Sequence, residues 1–486
     1  MIKRERRRIL MFHRLDLAML FAGLAAPLSR DLDVLHLAYG PEEKARLETL
    51  GISGSIPVFK DEIRDLYCQV NPSLEIIEEI DALIIKQTDG AFNLNSAIQS
   101  DRGFSLLDYD EALKLTATYY VFWTRFIEAR DIDFVLHEPC TLMFNFLPAL
   151  IIAERGGHYL YNIMAIGQKG KLNHLTMTGF DFTCPQLDFN LDDTAAGRHT
   201  PDLASASTFL TEFRESFEVF LGGQLGGRRP AWREFAKGLA YGLTLPLQRR
   251  GLHRIFDNID YWQAARNRTA QRARNLRAYE SVHFDEIVPG ERYYFYPMHL
   301  EPEAVVLYHA HGIYENQVKL IQNIAGQLPP GCLLYVKDHP HDHGYRAAID
   351  YHKLTAVPNI RLLSALIPGK EAIRQAQGVI TLTGTAGFEA LLLGKEVYTF
   401  GKSFYSRGPR VNYLHNIRDL REALYARRDE APITDIELLP FVAAYLETLE
   451  PGLTDYFAGR AHKYGIDLDR NATEVASSLL STIAKY

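Results

Sequence analysis

The chain has 486 residues, 47% hydrophobic and 23% charged, with a formal net charge of −7. Its length exceeds one ordinary core and predicts two domains of roughly 200 residues each, and its composition excludes wholesale disorder. The acidic balance excludes a general nucleic-acid binder, which needs a strongly basic face, while four scattered cysteines (Cys68, Cys140, Cys184, Cys332) without C-x-x-C spacing exclude a zinc-finger or disulfide scaffold and fit a reducing cytoplasm.

From the N-terminus, Lys3-Arg4-Glu5-Arg6-Arg7-Arg8 ahead of an apolar stretch imitates a secretion signal, but His13, Arg14 and Asp16 make that stretch too polar for a bilayer. It reads as a strand over 9–12, a turn and a helix over 17–28. The basic cluster reads as a solvated tail, with peripheral contact to an anionic membrane at the inner face of the plasma membrane as the alternative. No other run is long and apolar enough to span a membrane. A strand over 34–38, a helix over 42–50, an amphipathic helix over 109–130, a strand over 134–137, a helix over 143–155 and a strand over 158–161 follow. Such alternation predicts a parallel sheet covered by helices.

Residues 183–229 carry few strand signals, and Gly222 to Pro230 is rich in breakers. A basic, mostly helical stretch over 232–277 reads as interdomain. A second α/β block then runs through a strand over 292–297, a helix over 315–327, a strand over 332–336, a helix around 345–352, a strand over 360–363, a helix over 369–376 and a strand over 379–382. After the turn Thr383-Gly384-Thr385-Ala386-Gly387 come a helix closed by Gly394 and a strand over 396–400. The expected boundaries are 1–235 for an N-terminal acceptor-binding domain, 236–290 for a helical interdomain region, 291–434 for a nucleotide-sugar-binding domain and 435–486 for a helical tail. The fold class is α/β, two Rossmann-like domains facing across a cleft, with ligands at the C-terminal strand ends.

Those strand ends carry the candidate chemistry. The turn at Thr383 lacks a P-loop ending and is no dinucleotide fingerprint; its glycines admit an anion to the backbone, its threonines add donors, and a helix N-terminus follows. A tight, threonine-capped connection is the competing reading. Lys337-Asp338-His339-Pro340 follows an apolar strand, and the proline restricts the histidine before it. There His339 and Lys337 are placed to offset the charge of a departing nucleotide phosphate, work a metal does elsewhere; a surface turn is the competing reading. His299 and Glu301, after the first strand of this block, suit a base or sugar. His309, His311, His341 and His343 read as turn and loop residues rather than ligands, so neither metal nor cofactor is expected. In the first block His13, Arg14, Asp16, His137 and Glu138 follow strands. Glu138 is either a general base or nucleophile or a cap for the next helix.

Four blocks in order resemble the capsule polysaccharide biosynthesis family: Tyr296-Pro297-Met298-His299-Leu300-Glu301-Pro302-Glu303, Lys337-Asp338-His339-Pro340, Thr383-Gly384-Thr385-Ala386-Gly387-Phe388-Glu389-Ala390, and Gly401-Lys402-Ser403-Phe404-Tyr405. The segment that holds them, from Tyr294 to about Tyr405, is about a quarter of the chain. The resemblance implies a two-Rossmann (GT-B) glycosyltransferase, with several members transferring the acidic sugar Kdo from its cytidine monophosphate donor to a lipid-linked acceptor. It implies that His339 contacts the donor phosphate, that Thr383, Thr385 and Gly387 cradle it together with Gly384 and Pro340, and that Glu389 binds the ribose, with Tyr405 alongside. Thr-Gly-Thr replaces a common serine-rich version, which leaves the sugar open.

The leading expectation is therefore a metal-independent glycosyltransferase of bacterial surface polysaccharide, capsule or lipopolysaccharide. It uses a nucleotide-activated sugar, a CMP-sugar favoured, and a glycan or lipid-linked glycan acceptor, with Glu138 and His339 catalytic. The alternatives are a CDP-alcohol phosphotransferase of teichoic-acid-like polymer synthesis and a non-catalytic nucleotide- or sugar-binding scaffold.

Overall fold

The computed structural model describes residues 6–104, 107–168, 170–215, 275, 279, 282–301, 305–310, 314, 316–339, 346–427, 431–454 and 465–486. The breaker-rich stretch 222–230, most of the expected interdomain region, Lys3 to Glu5, Pro302, Glu303, His311, Pro340, His341 and His343 lie outside them. The chain forms two compact units, residues 1–193 with 445–486, and residues 194–444. These divisions fall at different places from the boundaries at 235 and 434 read from the sequence.

In the first unit the strands β1 (Arg8–His13), β2 (Asp33–Ala38), β3 (Phe134–Leu136), β4 (His158–Ala165), β5 (Asn173–Thr178) and β12 (Glu450–Pro451) form a six-stranded sheet in the order β12-β5-β4-β3-β1-β2. β1 lies parallel to β2 and to β3, and β3 parallel to β4, while β5 runs antiparallel to β4. Ile9, Leu10, Met11 and Phe12 are wholly buried, as expected of a central parallel strand covered on both faces. The helix Tyr109–Arg130 matches the sequence expectation; it starts at an Asp108 capping box and ends at Asp131 in the left-handed conformation, φ 48°.

Two features depart from the expectation. The strand over 158–161 continues to Ala165 and turns back as β5, a hairpin that the polar Asn173-His174 opening conceals. The C-terminal stretch is not a separate tail: β12 pairs with β5, and the helix Leu468–Ile483 buries Val475, Leu479 and Ile483 against Leu17, Phe21 and Leu24 of the helix Leu17–Leu28.

In the second unit β6 (Tyr293–Pro297), β7 (Leu333–Lys337), β8 (Ile360–Leu363), β9 (Gly378–Thr381), β10 (Glu396–Thr399) and β11 (Val411–Tyr413) form a sheet in the order β11-β10-β9-β6-β7-β8. All its pairings are parallel. The edge strand β11 was not anticipated, because its three residues are only half-buried and carry little apolar signal. Each unit is thus Rossmann-like, and each has one place where strand order reverses. That place is between β1 and β3 in the first and between β6 and β9 in the second, the crevices where open α/β sheets bind ligands. Among the described residues no helix is long and apolar enough to cross a membrane.

Candidate functional site

The second unit's reversal point gathers four of the loops singled out in the sequence. His299, two residues past β6, is 7% exposed. Its Nε2 lies 3.1 Å from Thr381 Oγ1 and accepts the Leu382 N–H at 3.3 Å, both at the end of β9. A ring nitrogen that accepts a backbone N–H carries no proton, so the imidazole proton sits on Nδ1. Burial first, and the nearby His339 second, push the His299 pKa down to about 3. His299 is therefore a neutral spacer between β6 and β9 that contributes no cationic charge.

The turn after β9 has the residues expected, for a different reason. Gly384 has φ −66°, open to any residue. A Cβ there would stand 2.7 Å from His299 Cε1, and one on Gly387 would stand 2.5 Å from the Tyr405 hydroxyl. Both glycines leave room for protein side chains. Tyr405 donates its hydroxyl to the Gly384 carbonyl at 2.7 Å, which fixes the turn onto the segment after β10. The helix Thr385–Leu392 opens here with Gly384 as N-cap and no side-chain cap, so its first N–H groups keep their partial positive charge. The competing reading of a threonine-capped turn is thereby corrected: Thr385 is exposed in the first helical turn, and the buried Thr383 has a hydroxyl without a hydrogen-bond partner among the described residues.

Lys337 ends β7 and is 6% exposed. Its ammonium donates to the Asp338 carbonyl at 3.4 Å, and among the described residues no carboxylate pairs with it. Burial, partly offset by Asp338 and Glu389, lowers its pKa to about 8. Glu389, on the helix Thr385–Leu392, is pushed the opposite way by burial, against the pull of Lys370 and Lys337. Lys337 and Glu389 thus sense one another across β7 and the helix. His339 follows with its backbone N–H on Asp338 Oδ1 at 2.8 Å.

Sequence reasoning missed the residues that hold these groups in place. Gln317, 1% exposed at the start of the helix Gln317–Ala325, accepts the His299 N–H at 2.8 Å and donates to the His299 carbonyl at 2.9 Å and to Glu301 Oε1 at 2.7 Å. Arg346 binds Glu301 Oε2 at 2.8 Å, with its Nε 3.5 Å from Asp338 Oδ1, and Asp338 also accepts the Tyr351 hydroxyl. The helix read from the sequence as starting at 315 begins at Gln317 behind the N-cap Asn316; the reach of the Gln317 side chain to a loop 18 residues earlier was not legible.

The first unit's reversal point holds His13, Arg14, His137 and Glu138. Glu138 is fully buried and pairs with Arg14 at 2.5 Å. The helix Met143–Glu154 has Leu142 as its N-cap; Asn145 Oδ1 takes the N–H groups of Thr141 and Leu142 at 2.9 and 3.0 Å, and Asp101 Oδ2 takes the first helical N–H, that of Met143, at 2.5 Å. The Arg14 guanidinium lies 5.1 Å over Tyr39 and 5.2 Å over Phe144. His137 donates from Nδ1 to the Phe12 carbonyl at 2.7 Å, which leaves Nε2 as an acceptor 3.7 Å from Glu138 Oε1. Burial holds the His137 pKa at about 4. His13 shares a 2.8 Å hydrogen bond with His36 and is lowered by burial. Asp16 stands apart in a half-exposed pair with Arg46 at 3.4 Å. Glu43, also missed, ties the loops after β1 and β2 together by accepting the Leu15 N–H at 3.0 Å and the Gly40 N–H at 2.9 Å.

A family model described as capsule polysaccharide biosynthesis protein matches residues 247–429. Among solved structures, the UDP-GlcNAc 2-epimerase from Methanocaldococcus jannaschii aligns with 91% of this chain and 98% of its own, at 10% identity and a TM-score of 0.27. A beta Kdo 2,4 transferase, KpsC of Thermosulfurimonas dismutans, aligns with 66% of this chain and 82% of its own, at 14% identity and a TM-score of 0.29. The beta Kdo 2,7 transferase of the same organism's KpsC aligns with 50% and 67%, at 15% identity and 0.26. These structural likenesses are too distant to carry an argument about chemistry. No curated protein matches the chain.

Proposed function

We propose, from the premise that residues 247–429 place this chain in the capsule polysaccharide biosynthesis family, that it is a glycosyltransferase of bacterial surface polysaccharide synthesis. In this reading the second unit binds a nucleotide-activated sugar, a CMP-sugar such as CMP-Kdo favoured, and the first unit receives a glycan or lipid-linked glycan acceptor. The supporting observation is the buried Lys337 ammonium, without a paired carboxylate among the described residues, at the same C-terminal sheet edge as the start of the helix Thr385–Leu392, which has no side-chain cap. A lone buried cation is costly unless an anion accompanies it. A donor phosphate supplies that anion, and as the sugar leaves, Lys337, His339, the Thr383 hydroxyl and the helix N–H groups stabilise the negative charge that develops. Glu389, held between two lysines, faces the ribose, and His299 and Tyr405 keep the turn in shape. Glu138 is the favoured carboxylate on the acceptor side, with Arg14, His13 and His137 around it. Charge neutralisation by side chains and backbone makes a metal unnecessary. The protein then works in the cytoplasm, with any membrane contact peripheral.

A thermal-shift screen against CMP, CDP, UDP and GDP tests the donor: a nucleotide at a hundredfold excess over Kd stabilises the fold by about 2.7 kcal/mol. His339→Ala is expected to remove sugar transfer without unfolding the protein, and EDTA to leave transfer unchanged. Near-wild-type turnover in that variant refutes the role of His339, and strong EDTA inhibition refutes the metal-free reading. A phosphodiester in the product favours a CDP-alcohol phosphotransferase, and nucleotide binding without any modified acceptor favours a scaffold.

A further inference from the structure

We infer that Gln317 is the positioning residue of the nucleotide site, holding His299 and Glu301 in register through one side-chain amide; this rests on the donor-binding reading above. The amide is used on both sides. Its oxygen accepts the His299 N–H at 2.8 Å and lies 3.4 Å from the Tyr296 hydroxyl, and its nitrogen donates to the His299 carbonyl at 2.9 Å and to Glu301 Oε1 at 2.7 Å. Gripping both backbone groups of His299 fixes the peptide planes on either side of that residue, and so the direction of its ring. That direction puts Nε2 against the Leu382 N–H and Thr381 Oγ1, where the ring spaces β6 from β9. The same amide orients the Glu301 carboxylate, whose second oxygen takes Arg346 at 2.8 Å, and Arg346 reaches Asp338 between Lys337 and His339. A single buried side chain thus links the loops after β6, β7 and β9.

Only an amide satisfies this set, because both a donor and an acceptor are needed within one planar group. Gln317→Ala removes both. Gln317→Glu keeps the shape and the acceptor but sets a carboxylate 2.7 Å from that of Glu301. Two carboxylates so close share a proton when the medium supplies one and repel when it does not. The pH profile therefore separates positioning from simple packing.

The experiment is calorimetric titration of the full chain with CMP, CDP, UDP and GDP at pH 7.5 and pH 5.5, each variant expressed as a ratio to wild type at the same pH. Gln317→Glu is expected to weaken binding about tenfold at pH 7.5 and to recover most of that at pH 5.5. Gln317→Ala is expected to weaken it by a similar factor with no change of ratio. Glu301→Ala, at a part-exposed site, is expected to behave like Gln317→Ala and keeps the test available if both Gln317 variants misfold. Wild-type affinity in Gln317→Glu at pH 7.5, a ratio that does not move with pH, or full affinity in Glu301→Ala overturns the assignment while wild type still binds. Failure of wild type to bind any of the four nucleotides overturns the donor-binding reading, and this assignment with it.

Discussion

Lys337 carries its charge where almost no water reaches it, and that single residue makes the site responsive to pH. Burial lowers its pKa from 10.5 to about 8. The sign follows directly: the ammonium is intact below pH 8 and is lost above it, so anion affinity is full on the acid side and declines as pH rises. Nucleotide Kd is expected to weaken above pH 8 by up to about tenfold per unit, the limit for one proton. Lys337→Arg, which keeps its charge, is expected to flatten the decline, as calorimetry at pH 7, 8 and 9 will read. Stability moves the other way. Between about 8 and 10.5 the unfolded chain binds more protons at this residue than the folded one, so its destabilising share shrinks as pH rises. Lys337 and His339 were legible because a charged residue directly after an apolar strand stands at a sheet's C-terminal edge whatever the fold's details. Gln317 and Arg346 were not: their partners are 8 to 45 residues away, and no spacing rule joins them.

At the scale of elements, the turn and the helix Thr385–Leu392 act as one piece fastened by Tyr405. Adding one methyl at Gly387 brings a carbon to 2.5 Å from the Tyr405 hydroxyl and 2.9 Å from its Cζ. The ring is wholly buried and cannot swing away. Gly387→Ala is therefore expected to destabilise the protein by about 1–3 kcal/mol, measured by denaturant unfolding, and to weaken nucleotide binding by displacing the helix start. Combining it with Tyr405→Phe removes the shorter clash and is expected to recover part of the stability. The sequence marked this turn by its two glycines, and the position was right. The reason differs, since what sits over each glycine is the ring of a distant residue, His299 or Tyr405.

For the molecule as a whole, the first unit is built from both ends of the chain. Its core contains Val475, Ala476, Leu479 and Ile483 from the helix Leu468–Ile483, and its sheet ends in β12. Truncation after Ala444 exposes the apolar face of the helix Leu17–Leu28 and removes β12, one of the two strands paired with β5. Calorimetry is expected to show a lowered unfolding transition. Leu479→Ala, at a wholly buried position, gives a milder version, about 2–5 kcal/mol. A truncated chain that melts like the full one refutes this account of the C-terminal helix.

Local pattern by itself determined the alternation of strands and helices, the bounds of the helix Tyr109–Arg130 and the strand Ile360–Leu363, and which polar residues stand at strand ends. Apolar periodicity and capping chemistry act over a few residues and are written in neighbouring letters. Only the tertiary structure decided that β5 and β12 join the first sheet, that Glu138 pairs with Arg14, and that Gln317 grips His299. Each of these is a contact between residues far apart in sequence. Its energy comes from burial and hydrogen bonding once the sheets have formed, so no short stretch of the chain records it.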